Sequence, residues 1–106
     1  MARFVAWSPE AIEDLEAIGA YIERDSAWYA KAVLSKIVET AESITQFPEL
    51  GRVVPEIGST SIRERFVHSY RIIYRNEDDR ILIAAIIHVS RLLQPFSQRI
   101  QGDQGS

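Results

Sequence analysis

The sequence predicts an α+β fold, a small and mostly antiparallel sheet with an antiparallel helical hairpin packed on it. Three observations predict it. Two stretches in the first half carry apolar residues at helical spacing, joined by a very short linker. Three strand-like segments follow in the second half, separated by turn-length polar stretches. A short apolar run, residues 4–7, precedes them all. Helices grouped beside grouped strands pack as two layers around one core.

The first strand covers residues 4–7. Ser8 then offers its hydroxyl as an N-cap and Pro9 suits the first helical position. Glu10, Glu13 and Asp14 favour the positive end of the helix dipole. Trp7 and Ile12 are spaced for a hydrophobic staple across that start. The apolar stripe Ile12, Leu15, Ile18, Ile22 carries the helix to Glu23 or Arg24. Asp25 and Ser26 are cap residues for a second helix with the stripe Ala30, Val33, Ile37, Ala41, Ile44. Phe47, Pro48 and Gly51 end it, and residues 51–61 read as loop. Strands are expected at 62–67, 70–75 and 80–89, with a polar turn at 76–79. Alternation puts Tyr70, Ile72 and Tyr74 on one face and Arg71, Ile73 and Arg75 on the other. The last strand is apolar on both faces, which suits a central, doubly covered position.

A length of 106 residues with 46% hydrophobic and 25% charged residues fits one ordinary globular domain. We assign residues 1–97 to that domain and read residues 98–106 as a disordered polar tail. The longest apolar run is residues 81–87, too short to span a bilayer, and no signal peptide is read at the start, so the expected location is the cytoplasm. Cysteine is absent, which excludes disulfides, thiolate catalysis and Cys-ligated metals. His68 and His88 alone make a poor metal site. No metal or other cofactor is expected. The net charge of −3 argues against a uniformly basic nucleic-acid binder. That charge is split: residues 1–50 hold nine carboxylates against four basic side chains, and residues 51–106 hold eight arginines, no lysine and six carboxylates.

Four segments carry a family resemblance. Trp7-Ser8-Pro9-Glu10-Ala11 opens the first helix, and Phe47-Pro48-Glu49-Leu50-Gly51-Arg52 closes the second. Arg63-Glu64 is followed by Ser69-Tyr70-Arg71-Ile72-Ile73-Tyr74, and Ile86-Ile87-His88-Val89-Ser90-Arg91 ends the last strand. In this order, across residues 4–96, they resemble the RelE/ParE superfamily of toxins from type II toxin–antitoxin modules. The resemblance implies the RelE/ParE fold and a toxin neutralised by a cognate antitoxin, as a hetero-oligomer. It implies one of two mechanisms. RelE-like members cut mRNA on the ribosome, and ParE-like members inhibit DNA gyrase by binding it.

Nuclease chemistry needs groups to deprotonate a 2′-hydroxyl, stabilise a phosphate dianion and protonate the leaving oxygen. Arg71 matches the family's phosphate-binding arginine and Arg91 its later arginine. His88 is the remaining acid–base candidate, or else a capping or packing residue at a strand end. Residues 62–66 lack the lysines usual in RelE-like members, and Phe96 stands near their C-terminal tyrosine without a hydroxyl. We therefore place the chain on the ParE-like branch, with gyrase as target and no covalent chemistry. The alternatives are a RelE-like interferase using Arg71, His88 and Arg91, with ribosome and mRNA as partners, and a non-toxic antitoxin-binding relic.

Arg63, Arg65, Arg71 and Arg75 lie on adjacent strands, and the register between them decides whether they share a face. They could form a guanidinium-rich face for an anion or an acidic antitoxin segment. The plainer reading is strand residues paired locally with Glu64, Glu77 and Asp78. Trp28 and Tyr29 open the second helix and could anchor a partner or pack over the hairpin.

Overall fold

A computed structural model describes residues 3–102. Strand β1 (Phe4–Trp7) leads into helix α1 (Pro9–Glu23), and helix α2 (Ala27–Ser43) follows after three residues. The Ser8 hydroxyl accepts from Ala11 N–H at 3.1 Å, and Ser26 caps α2 by accepting from Tyr29 N–H at 3.0 Å. Each cap satisfies one otherwise unpaired helix amide, worth about 1 kcal/mol. Every residue of the α2 stripe is buried: Ala30, Val33, Ile37, Ala41 and Ile44. In α1 the buried stripe starts one residue earlier than expected. Ala11 is fully buried, Leu15, Ile18 and Ile22 pack on the core, and Ile12 is 45% exposed.

The sheet has five strands in the order β1-β5-β4-β3-β2. Strands β3 (Ile62–Val67), β4 (Tyr70–Asn76) and β5 (Arg80–His88) form the expected antiparallel meander. β1 pairs with β5 in parallel. The predicted loop 51–61 holds a two-residue strand, β2 (Arg52–Val53), antiparallel to β3. Two residues carry no readable alternation, so sequence pattern misses it.

Two cores sandwich the sheet. Between hairpin and sheet lie Val33, Ile37, Ile72, Tyr74, Ile81, Ile83 and their neighbours. On the far face, Val54, Ile62, Ile73, Ala85, Ile87, Leu93 and Ile100 form a second core. This double covering explains why residues 81–87 of β5 are all buried.

The C-terminal segment differs from the expected disordered tail. Ser97–Gln101 form a helix, α3, whose Ile100 is fully buried in the far-face core. Arg75 Nη1 donates to Ile100 O at 3.1 Å. Arg99 Nη2 donates to Asp14 Oδ2 at 2.7 Å. That same Asp14 oxygen accepts from Ile86 N–H at 2.9 Å, on the part of β5 beyond β1. One carboxylate thus ties α1, β5 and α3 together. The domain runs at least through α3, and residues 103–106 of the expected tail lie outside the described residues.

Candidate functional site

The register settles which arginines share a face. Arg63 opposes Tyr74 and Arg65 opposes Ile72, so both project on the hairpin side. Arg71 opposes Phe66 and Arg75 opposes Ile62, on the far side. A single face of four guanidinium groups does not form.

Most of these groups are engaged internally. Arg63 donates to the carbonyls of Thr60, Glu49 and Gly51, at 3.1, 3.2 and 3.0 Å, and ties the loop down. Gly51 fits there because a Cβ would stand 2.4 Å from the Tyr74 hydroxyl oxygen and 2.8 Å from Glu64 O. Arg75 pairs with Glu77 at 3.1 Å and holds the end of α3. The Arg65 side chain has no hydrogen bond or ion pair among the described residues.

Arg71 is 6% exposed and joins a four-member network. Its Nε donates to Glu64 Oε1 at 2.6 Å. Its Nη1 and Nη2 donate to Glu56 Oε2 and Oε1 at 3.1 and 3.0 Å. Glu64, 1% exposed, also accepts from Arg52 Nε at 2.8 Å through its other oxygen. The Arg71 hydrogen bonds outweigh burial and hold the Glu56 carboxyl below its usual range. Burial alone would lower the Arg71 pKa, but the Glu56 and Glu64 bonds raise it. Of the carboxylates expected as local partners of the strand arginines, Glu64 pairs with Arg71 and Glu77 with Arg75, and the Arg71 pair is buried rather than solvated. Glu56 is the partner that sequence reasoning missed, since it lies in a loop fifteen residues away.

His88 and Arg91 meet elsewhere. His88 opposes Tyr70 on the hairpin side, with ring centroids 5.4 Å apart and edge to face. Both residues, with Tyr21, Tyr29, His68, Ser90 and the apolar floor of α1 and α2, line an open cavity of about 610 Å³. The Ser90 N–H donates to His88 Nδ1 at 3.1 Å, and Ser90 Oγ lies 2.8 Å from it. Nδ1 thus serves as an acceptor toward the backbone. Arg91 stacks over Phe96 at 5.2 Å and has no ion pair among the described residues. The lining of this cavity contains no carboxylate. Trp28, 79% exposed, stands at the closed end of the hairpin, where Tyr29, 47% exposed, meets the His68 ring edge to face. His68 occupies the β3–β4 turn at φ 54°, exposed as expected.

The three nuclease candidates are therefore not assembled. Arg71 points to the far side of the sheet, His88 lines the hairpin side, and Arg91, past the end of β5, reaches from the hairpin-side cavity to Phe96 on the far-face core. No cluster of His, Asp or Glu able to hold a metal occurs among the described residues, and no helix there is long and apolar enough to cross a membrane.

This fold is that of type II toxin–antitoxin toxins of the RelE/ParE superfamily. Residues 5–93 match the model of the ParE toxin family, described as the ParE toxin of the type II parDE system. The chain belongs to that family. Toxin RelE2 of Caulobacter vibrioides is 33% identical over 89 residues, covering 83% of this chain and 97% of that protein. A chain of the chromosomal ParDE system of P. aeruginosa superposes with a TM-score of 0.69 at 21% identity, over 82% of this chain and 96% of that one. The RelBE2 toxin–antitoxin complex of Mycobacterium tuberculosis gives 0.59 at 19% identity, over 83% and 99%. At such identities the structural likeness concerns the fold.

Proposed function

We propose that this toxin acts in the ParE manner, binding DNA gyrase without covalent chemistry and held inactive by a cognate antitoxin in a hetero-oligomer. One observation carries the reading. Arg71, the residue that would grip a phosphate in a nuclease, is bonded to two carboxylates and separated by the sheet from His88. An RNA phosphate would have to displace a carboxylate to reach it, and no acid–base group faces it from the hairpin side. The absence of lysine at 62–66 and of a hydroxyl at Phe96 supports the same branch.

The antitoxin partner fits the neighbours, one of which is itself a toxin–antitoxin complex. The exposed Tyr21, Trp28 and Tyr29 around a carboxylate-free cavity offer aromatic anchors for an acidic amphipathic segment. Arg65 and Arg91, free of ion pairs among the described residues, could receive its carboxylates.

A second reading, a RelE-like mRNA interferase, is favoured by the relative named RelE2. Inducing the toxin alone and pulse-labelling DNA and protein separates the two. The gyrase reading predicts that DNA synthesis stops first. Early arrest of translation, with mRNA cleaved on ribosomes, would favour the interferase. Undisturbed growth would identify a relic that keeps only antitoxin affinity.

A further inference from the structure

We propose that His68 is a recognition residue at the mouth of the hairpin-side cavity, and that its protonation tightens the grip on an acidic segment of the antitoxin. The inference rests on the proposed docking of that segment in this cavity. His68 and Ser69 make the whole turn between β3 and β4, since Val67 pairs with Tyr70. His68 takes the left-handed conformation there, at φ 54°. Two-residue turns favour glycine or asparagine at such a position, because a larger side chain crowds the backbone. Histidine gives the turn nothing that glycine would not. What it adds is the ring, which lines the cavity, is exposed and meets Tyr29 edge to face at 6.4 Å. Among the described residues neither ring nitrogen has a hydrogen-bond partner, so both are open to an incoming group.

The charges around the ring fix the sign of the effect. The chain has two histidines, and both line this one cavity. The other ionisable groups in it are Tyr21 of α1, Tyr29 of α2, Tyr70 of β4 and Arg91 beyond β5. Arg24 stacks over the Tyr21 ring at 5.8 Å and adds a cation at the rim. Glu23 at the end of α1 and Asp25 in the linker do not line the cavity. Asp14, farther back on α1, is taken by Arg99. Burial, with Tyr21 and Tyr29 nearby, raises the Tyr70 phenol above its usual value, so it brings no negative charge. Imidazoles titrate between about pH 5 and 8. Above that range the lining carries the charge of Arg91 alone, and below it each histidine adds another. No carboxylate in the lining offsets them. An anionic partner favours the protonated rings, so its binding strengthens as pH falls through that range. An uncharged apolar segment would gain nothing from either proton. The fit is to a segment that sets carboxylates beside apolar anchors.

The test is a pH series of antitoxin binding. The full-length toxin and its His68→Gly, His68→Asn and Tyr29→Ala variants would be titrated with the purified cognate antitoxin across the imidazole range. Both His68 substitutions suit the turn, so each should melt no lower than the unaltered protein. We expect the affinity of the unaltered toxin to rise about tenfold from about pH 7.5 to about pH 5.5. In both His68 variants the rise should shrink to about threefold, which is the share left to His88. A residue that only shapes the turn would leave that slope unchanged. His68 variants with the affinity and slope of the unaltered toxin, beside a weakly binding Tyr29→Ala, would overturn this inference alone. Unchanged affinity in Tyr29→Ala as well would place the antitoxin elsewhere and overturn the docking with it.

Discussion

At the residue scale, Glu64 is the hinge of the far-face charge network. It is a buried carboxylate between two guanidinium groups, and one of these, on Arg71, is itself buried. Removing one member of such a group leaves uncompensated charge in a low dielectric. We predict that Glu64→Ala costs about 3–5 kcal/mol in urea unfolding, whereas Lys36→Ala, which removes an exposed i,i+3 pair with Glu39, costs well under 1 kcal/mol. Equal effects would contradict this role. The same chemistry sets an acid limit. Bonds from Arg71 lower the Glu56 pKa, and Glu77 is lowered because Arg80 and Arg75 outweigh its burial. A carboxyl with a depressed folded pKa contributes stability above its unfolded pKa and loses it as pH falls through the folded value. Stability should therefore decline as pH falls below about 4.5. Chemical denaturation across that range should show a shallower decline for Glu56→Gln. Arg71 was visible in the sequence as a special arginine, and Glu64 as a nearby partner. Glu56 was not, because nothing in a loop's pattern shows which way its side chain turns.

At the element scale, what could be read depended on periodicity. The α2 stripe was legible to the residue because five apolar positions repeat at helical spacing and all five are buried. The α1 stripe was displaced at its start, since Ala11, small and unremarkable in sequence, takes the buried place beside Ile12. Strands β3 to β5 and their turns were legible from alternation and polar breaks. The facing of the arginine pairs was not, because it follows from register alone. Helix α3 was missed for a related reason. It is five residues long with one apolar side chain, so no period exists to detect. Ile100 nonetheless fills the far-face core, and Arg75, Arg99 and Asp14 fix it in place. Ile100→Ala should cost about 2–5 kcal/mol in thermal or urea unfolding. A cost near zero would mean that α3 is not part of the folded domain.

At the scale of the whole molecule, the split of charge between the two halves acquires a structural meaning. Six of the eight arginines of the second half are bonded within the protein. Arg52, Arg71, Arg75, Arg80 and Arg99 are in ion pairs, and Arg63 binds loop carbonyls. The acidic first half supplies one of those partners through Asp14. Exposed aromatic side chains gather at the end of the hairpin, where they border a cavity without carboxylates. That distribution suits recognition of proteins, an antitoxin and a target, better than recognition of a phosphate backbone. The measurement that tests this most directly is DNA supercoiling by the host's purified gyrase with micromolar toxin. Inhibition that is relieved by the cognate antitoxin is the predicted result. Full supercoiling, together with ribosome-dependent cleavage of mRNA by the same preparation, would contradict it.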